Sequence, residues 1–126
     1  MHSVVPLWLT ILISVTLIVI GCFYIAAPQR VLGSFGLKPP ATDANTLAWL
    51  HVKGVRDVAC GSAVLILLLT TDRRDVGILF LVFAAIPFGD MSNILISGGR
   101  KATAFSVHGL TCLLMLFAGL LLIRAF

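Results

Sequence analysis

Four stretches of the chain are apolar almost without interruption, and short polar segments separate them. They cover about residues 5–27, 46–71, 76–97 and 102–125. Each is close to the ~20 residues that an α-helix rising 1.5 Å per residue needs to cross a ~30 Å hydrocarbon core. The pattern predicts an all-α membrane protein, an antiparallel bundle of four transmembrane helices forming one domain over 1–126. Between the first two stretches, Pro28 and the Pro39-Pro40 pair break the helical pattern. The Arg30–Leu37 portion, RVLGSFGL, is apolar enough to lie at the membrane interface or to cap the end of the bundle. The other connections, Asp72 to Asp75 and Gly98 to Lys101, are tight turns, which make sequential helices antiparallel neighbours. No internal repeat is visible, although two hairpins could pack as pseudo-symmetric halves.

The first stretch also invites comparison with a cleavable signal peptide, because it follows a weakly positive start and ends in small residues. Its run from Val4 to Ala27 exceeds the 7–15 apolar residues of a usual signal core, so a retained helix is expected; cleavage would leave three spans. Composition agrees with a membrane location. Of 126 residues, 60% are hydrophobic and 11% charged, against roughly 25% charged in soluble domains. The mean hydropathy is +1.11, and no length remains for a soluble domain. The net charge of +4 is spread over short loops, which argues against a nucleic-acid partner. Counting Lys and Arg near the span ends sets Arg73, Arg74 and Arg124 on the N-terminal side against Arg30, Lys38, Arg100 and Lys101 on the other. That near balance fixes neither the orientation nor the membrane, and it leaves a homodimer open. Cys22, Cys60 and Cys112 all fall in apolar stretches without CxxC spacing and read as packing residues.

The segment LHVKGVRDVACG, Leu50 to Gly61, breaks the apolar pattern. With the second helix entering near Thr46, Arg56 and Asp57 lie roughly 15 Å deep. Asp90 and His108, on the third and fourth helices, lie roughly 10 Å from the same surface. At 100° per residue, Trp49, Lys53, Arg56, Asp57 and Cys60 share one face, and Lys53 and Asp57 are an i,i+4 pair. Phe83, Ile86, Asp90, Asn93 and Ser97 form a stripe on the third helix. Lys101, His108, Cys112, Met115 and Gly119 form one on the fourth. The first helix offers the mild polar residues Thr10, Ser14, Gly21 and Tyr24, of which only Tyr24 reaches this half. His51 points elsewhere, towards the first helix, the headgroups or another subunit.

Ionisable groups at such depth face the bundle interior and pair, or they line a water-filled cavity. The expected site is a polar pocket in one half of the membrane. Arg56, Asp57, Asp90 and His108 are its candidate catalytic groups, and Tyr24, Trp49, Lys53, Phe83, Asn93, Cys112 and Met115 its walls. Trp49 could equally be an interfacial anchor. Pro87, one turn before Asp90, removes an i to i−4 hydrogen bond and is expected to kink the third helix. Gly54 and Gly61 would let a neighbouring helix approach closely.

The segments KGVRDVACG, AAIPFGDMSNI and SVHG, together with VLGSFGL after the first span, resemble the small four-span membrane proteins grouped as domain of unknown function 4267. The resemblance covers nearly the whole chain. It implies a four-helix membrane bundle and assigns no reaction. The matching residues are Gly54, Arg56, Asp57, Pro87, Asp90 and His108.

Three functions fit these residues. An enzyme acting on a hydrophobic small molecule or lipid could use Asp57 or Asp90 as general acid, Arg56 to hold the other carboxylate ionised, and His108 to shuttle the proton. Such a grouping suits isomerisation, cyclisation or epoxide opening. No haem, flavin or nucleotide motif and no HxxH spacing is present, so neither cofactor nor metal is expected. A non-catalytic subunit or scaffold could use the charges to fix helix packing. A small proton-coupled transporter is the third, because four short spans resemble the small multidrug exporters. Those centre on a glutamate in the first span, and this sequence contains none.

Overall fold

The computed structural model describes residues 4–124, all helix, turn or loop and without a β-strand among them. The last residue expected in the fourth helix, 125, and the weakly positive start of the chain lie outside the described residues. Helix α1 is Val4–Ala26, α2 the single turn Pro28–Val31, and a 3-10 turn follows over Leu32–Ser34. Helix α3 is Ala44–Thr70. Helices α4, Arg73–Phe83, and α5, Ala85–Ile96, follow one another across Ala84. The last long segment opens with α6, Lys101–Thr103, widens into a π-helical turn over Ala104–Gly109, and continues as α7, Leu110–Arg124.

Three segments are long and apolar enough to cross a membrane: Val4–Ala26, Arg73–Ile96 and Lys101–Arg124. The protein is therefore a multi-pass integral membrane protein. At 27 residues α3 has the length, but Lys53, Arg56 and Asp57 sit in its middle, and it is not apolar enough on composition alone. It begins two residues earlier than the apolar pattern implies because Asp43 caps it. The Asp43 carboxylate accepts the Thr46 amide at 2.9 Å and the Thr46 hydroxyl at 3.0 Å. That backbone N–H holds the Asp43 carboxyl below the usual carboxylate range.

The long segments pack as two pairs, α1 on α3 and α4 on α7, and α1 also meets α7. Glycines set both close approaches. A Cβ built on Gly54 would lie 2.7 Å from the Gly21 carbonyl oxygen, and one on Gly61 would lie 2.6 Å from that of Ser14. In the second pair, Gly77 and Gly119 face one another's carbonyls at 2.8 and 2.9 Å by the same measure. Lipid removes the hydrophobic drive between helices, so backbone approach and van der Waals contact hold such pairs together. Val64, Val76, Phe80, Ala84, Met115, Ala118 and Leu122 fill the core between them.

Pro87 lies in the first turn of α5 and cannot donate to the Phe83 carbonyl four residues back. The helix is interrupted at Ala84 as a result. At the same end as the start of α3, the chain from Val31 to Gly36 forms a strap. Gly36, at φ 105°, turns the strap so that its carbonyl accepts the Arg100 amide at 2.8 Å. The Arg100 guanidinium donates to the Gly33 carbonyl at 2.7 Å. One arginine in the third turn thus ties the strap across the bundle.

The glycine contacts make a direct test. Gly54→Ala is expected to lower the unfolding free energy in detergent by about 1–3 kcal/mol, the usual cost of forcing an atom into packed structure. Gly89→Ala, on α5 where a new Cβ meets nothing within 4 Å, is expected to be neutral or stabilising by up to about 1 kcal/mol. Denaturant titration of both variants measures the contrast.

Candidate functional site

A cavity of about 350 Å³ lies between α1, α3, the α4–α5 segment and the last segment. Its strap end is polar, with Lys53, Asp57, Asp90 and His108 in the wall beside Tyr24, Ser34 and Phe35. Its far end is apolar, lined by Leu9, Ile13, Val64 and Phe80. Leu12, Ile20 and Phe23 of α1 and Val107 of the π-turn are wall residues that are also exposed. They mark a lateral opening between α1 and the last segment.

Asp57 is the most enclosed charge, 2% exposed. Lys53, one turn earlier on the same helix, donates to its Oδ2. Arg56 reaches Oδ1 through Nε at 3.3 Å and Nη2 at 3.2 Å. Both carboxylate oxygens are therefore engaged by cationic donors. The Lys53 ammonium also lies 4.3 Å from the Tyr24 ring centroid and 5.5 Å from that of Phe35. Cation–π attraction adds to its hold where water is scarce.

Asp90 is held more loosely. Its Oδ2 lies 3.8 Å from His108 Nδ1, within ion-pair reach and too long for a hydrogen bond. His108 Nε2 lies 3.1 Å from the Phe35 carbonyl oxygen, and the two rings meet edge to face at 4.8 Å. A carbonyl can only accept, so Nε2 carries the hydrogen. In the neutral imidazole that leaves the Nδ1 lone pair facing Asp90. Asp90 Oδ2 and His108 Nδ1 are thus the two atoms of the pair on which a proton could sit. The π-turn helps set this orientation, since an extra residue in the turn rotates His108 relative to a regular α-helix; π-turns of this kind recur at functional sites.

Lys53, Asp57, Asp90 and His108 thus meet in one wall, with Tyr24, Phe83 and Met115 lining the same cavity. Other residues expected there are placed elsewhere. Trp49 is 69% exposed on the outer side of α3. Asn93 is exposed and accepts a hydrogen bond from Ser97 at 3.4 Å. Cys112 is buried in the helix-packing core. Arg56 stands behind Asp57 with a side chain 45% exposed, outside the cavity wall. Angular position on an ideal helix put all four on the polar faces, but the crossing of the helices turns only part of each face inward. Cys22 is exposed, so it does not pack in the core as expected. His51 does point away, into a groove with Ile25, Arg30 and Leu47.

Two components of the site carry no advance signal in the chain. Neither the π-turn nor the Phe35 carbonyl follows from residue type. The nearest hint to the second is the apolar RVLGSFGL segment, whose capping position the structure realises through Val31, Ser34 and Phe35. Among the described residues, no three His, Cys, Asp or Glu side chains converge to hold a metal ion.

The family model described as Domain of unknown function (DUF4267) matches residues 14–122, most of the chain. The chain belongs to this family. The DUF4267 match contains the strap and every charged residue of the cavity wall. No curated protein and no solved structure matches the chain.

The ion cluster can be tested without knowing a ligand. Lys53→Met leaves the buried Asp57 carboxylate with only its long contacts to Arg56, and is expected to cost about 1–3 kcal/mol of unfolding free energy. In the double variant Lys53→Met, Asp57→Leu most of that loss is expected to disappear. A double-mutant cycle in detergent reads the difference as a coupling energy of about 1 kcal/mol or more.

Proposed function

We propose that this DUF4267 protein is a single-domain bundle of four transmembrane helices whose half-membrane polar pocket carries out cofactor-independent acid–base chemistry on an apolar substrate entering from the bilayer. The observation that carries the reading is the Asp90–His108 pair, two groups able to exchange one proton in a cavity that opens sideways between α1 and the last segment. The substrate class is lipid-like, terpenoid-like or polyketide-like, because the rest of the wall offers hydrocarbon contact. Isomerisation, cyclisation and epoxide opening all fit a site that moves a proton without redox chemistry.

For a double-bond shift the bookkeeping closes within the pair. The Asp90 carboxyl delivers its proton to one alkene carbon while His108 Nδ1 takes the proton from the allylic carbon on the other side. The double bond moves one position, leaving Asp90 as carboxylate and His108 as imidazolium. Return of the proton from His108 Nδ1 to Asp90, through a bridging water or after the 3.8 Å gap closes, restores the starting state. Asp57, held by Lys53 and Arg56, stays a fixed negative charge beside the developing cation. This divides the labour between two carboxylates whose surroundings differ, a recurring feature of acid–base sites.

A non-catalytic membrane subunit is the second reading, and the full engagement of Asp57 favours it: that cluster on its own would serve as internal glue. A proton-coupled transporter has less support, since all the charged wall residues lie at the strap end and the proton would find no relay beyond them.

Reconstitution in vesicles of total membrane lipid made up in D2O tests the enzyme reading. Wild-type protein is expected to place solvent deuterium on carbon in an apolar component detectable by mass spectrometry. Asp90→Asn is expected to lose that exchange by about 100-fold or more, the usual share of a positioned acid or base, while its melting temperature stays near wild type. Exchange that persists in folded Asp90→Asn would remove Asp90 from the chemistry.

A further inference from the structure

The charges around the cavity balance only when Asp90 is counted as an ion. Lys53 and Arg56 bring two positive charges and Asp57 one negative charge, and all three act through space on Asp90. The other titratable groups in the wall are Tyr24 from α1, Cys60 from α3 and His108 from the last segment; the strap adds no charge, and the α4–α5 segment adds Asp90 alone. Tyrosine and cysteine are uncharged at neutral pH, so one positive charge is left for the Asp90–His108 pair to answer. Without a proton the pair carries a charge of −1 and cancels it. With one proton, on either atom, the pair is neutral and the cluster keeps an excess of +1 in a setting that penalises unpaired ions. Asp90 cannot be counter-ion and acid at the same time.

Lys53 is the group on which a ligand can supply the missing negative charge. Its side chain lines the cavity and is 20% exposed. An ammonium carries three N–H donors, and among the described residues only Asp57 Oδ2 accepts from it. The rings of Tyr24 and Phe35, at 4.3 and 5.5 Å, attract the charge but offer no lone pair. A carboxylate matches this vacancy, with one charge and two oxygens for the two remaining N–H groups. A phosphate brings more oxygens than those donors can meet. A carboxylic acid also passes the apolar mouth between α1 and the last segment in its uncharged form, whereas a phosphodiester is ionised throughout.

We propose that the ligand is a long-chain carboxylic acid, bound as its carboxylate with the head on the free N–H groups of Lys53 and the chain along the apolar wall, and that this head is the counter-ion that lets the Asp90–His108 pair keep its proton. The inference rests on the acid–base reading of this cavity and adds the class of substrate. Where the pair has lost its proton, the entering acid supplies one: the O–H bond of the acid breaks, an O–H bond forms on Asp90 Oδ2, and the total charge is unchanged. Bound carboxylate and pair proton favour each other, and the coupling is reciprocal.

The test uses the full chain in phosphatidylcholine nanodiscs, with empty nanodiscs subtracted, and compares equilibrium binding of hexadecanoic acid, hexadecanol and methyl hexadecanoate. At neutral pH wild type is expected to bind the acid about 10- to 100-fold more tightly than either neutral analogue, the value of a charge-assisted hydrogen bond. Over the range in which the free acid is ionised, that preference is expected to fall as the pH rises, because the pair gives up the proton that accompanies the carboxylate. Asp90→Asn, folded as judged by its melting temperature, keeps the excess positive charge at every pH in that range, and its preference is expected to stay high throughout. An acid that binds no better than the alcohol and the ester overturns the carboxylate head and leaves the cavity as a ligand site. A preference that falls with pH in Asp90→Asn as it does in wild type overturns the link to the pair's proton. If none of the three binds above the empty discs, both the ligand site and the carboxylate head are overturned. The wild-type comparison reads the head group even where the variant does not fold.

Discussion

A carboxylate carried into hydrocarbon must be neutralised or paired, because an unpaired ion there costs several kcal/mol or more. Asp57 meets this constraint on its own helix, through Lys53 one turn before it and Arg56 beside it. The remainder of the arrangement follows from that choice. With Asp57 turned inward and its oxygens engaged, the charged face of α3 needs a neighbour whose backbone can come close, and Gly54 and Gly61 provide the contact with α1 on either side of it. The α1–α3 pair then presents Lys53 and Asp57 across a gap to Asp90 and His108, and the gap is the cavity.

The strap and the π-turn belong to the same design. Phe35 supplies a carbonyl and an edge-to-face ring contact to His108, and its ring face to Lys53. It can do so because Arg100 pins the strap through Gly33 and Gly36. The loop between the first two long helices therefore acts as a wall of the site, holding the imidazole in one tautomer. The two carboxylates end up in unlike settings, one saturated by cations and one facing a single histidine. That difference is set by neighbours rather than by residue type.

Much of this was legible in the chain before the structure. Apolar runs of spanning length, the i,i+4 spacing of Lys53 and Asp57, and the proline before Asp90 each translate directly into geometry: long helices, an ion pair and an interruption at Ala84. Lys53 and Asp57, which break the apolar pattern of α3, were also legible as inward-facing groups, since lipid would not accept them. What the pattern could not give is the rotation of each face once the helices cross. Trp49, Asn93, Cys112 and Arg56 lie on polar faces by angular count, yet they face outward, towards the core, or behind Asp57. The second glycine contact, Gly77 with Gly119, also escaped, because two single glycines 42 positions apart in the numbering carry no local motif. The π-turn has no composition of its own and became visible only in the backbone.

The central claim is that Asp90 and His108 hold one proton between them, with His108 Nε2 committed to the Phe35 carbonyl. Solid-state NMR of bilayer-embedded protein, with nitrogen-15 in histidine and carbon-13 in aspartate carboxyls, addresses it most directly. His108 is expected to keep Nε2 protonated at every pH, while its Nδ1 signal and the Asp90 carboxyl signal change together. A neutral His108 protonated at Nδ1 instead, or an Asp90 carboxyl that titrates independently of the imidazole, would contradict the account.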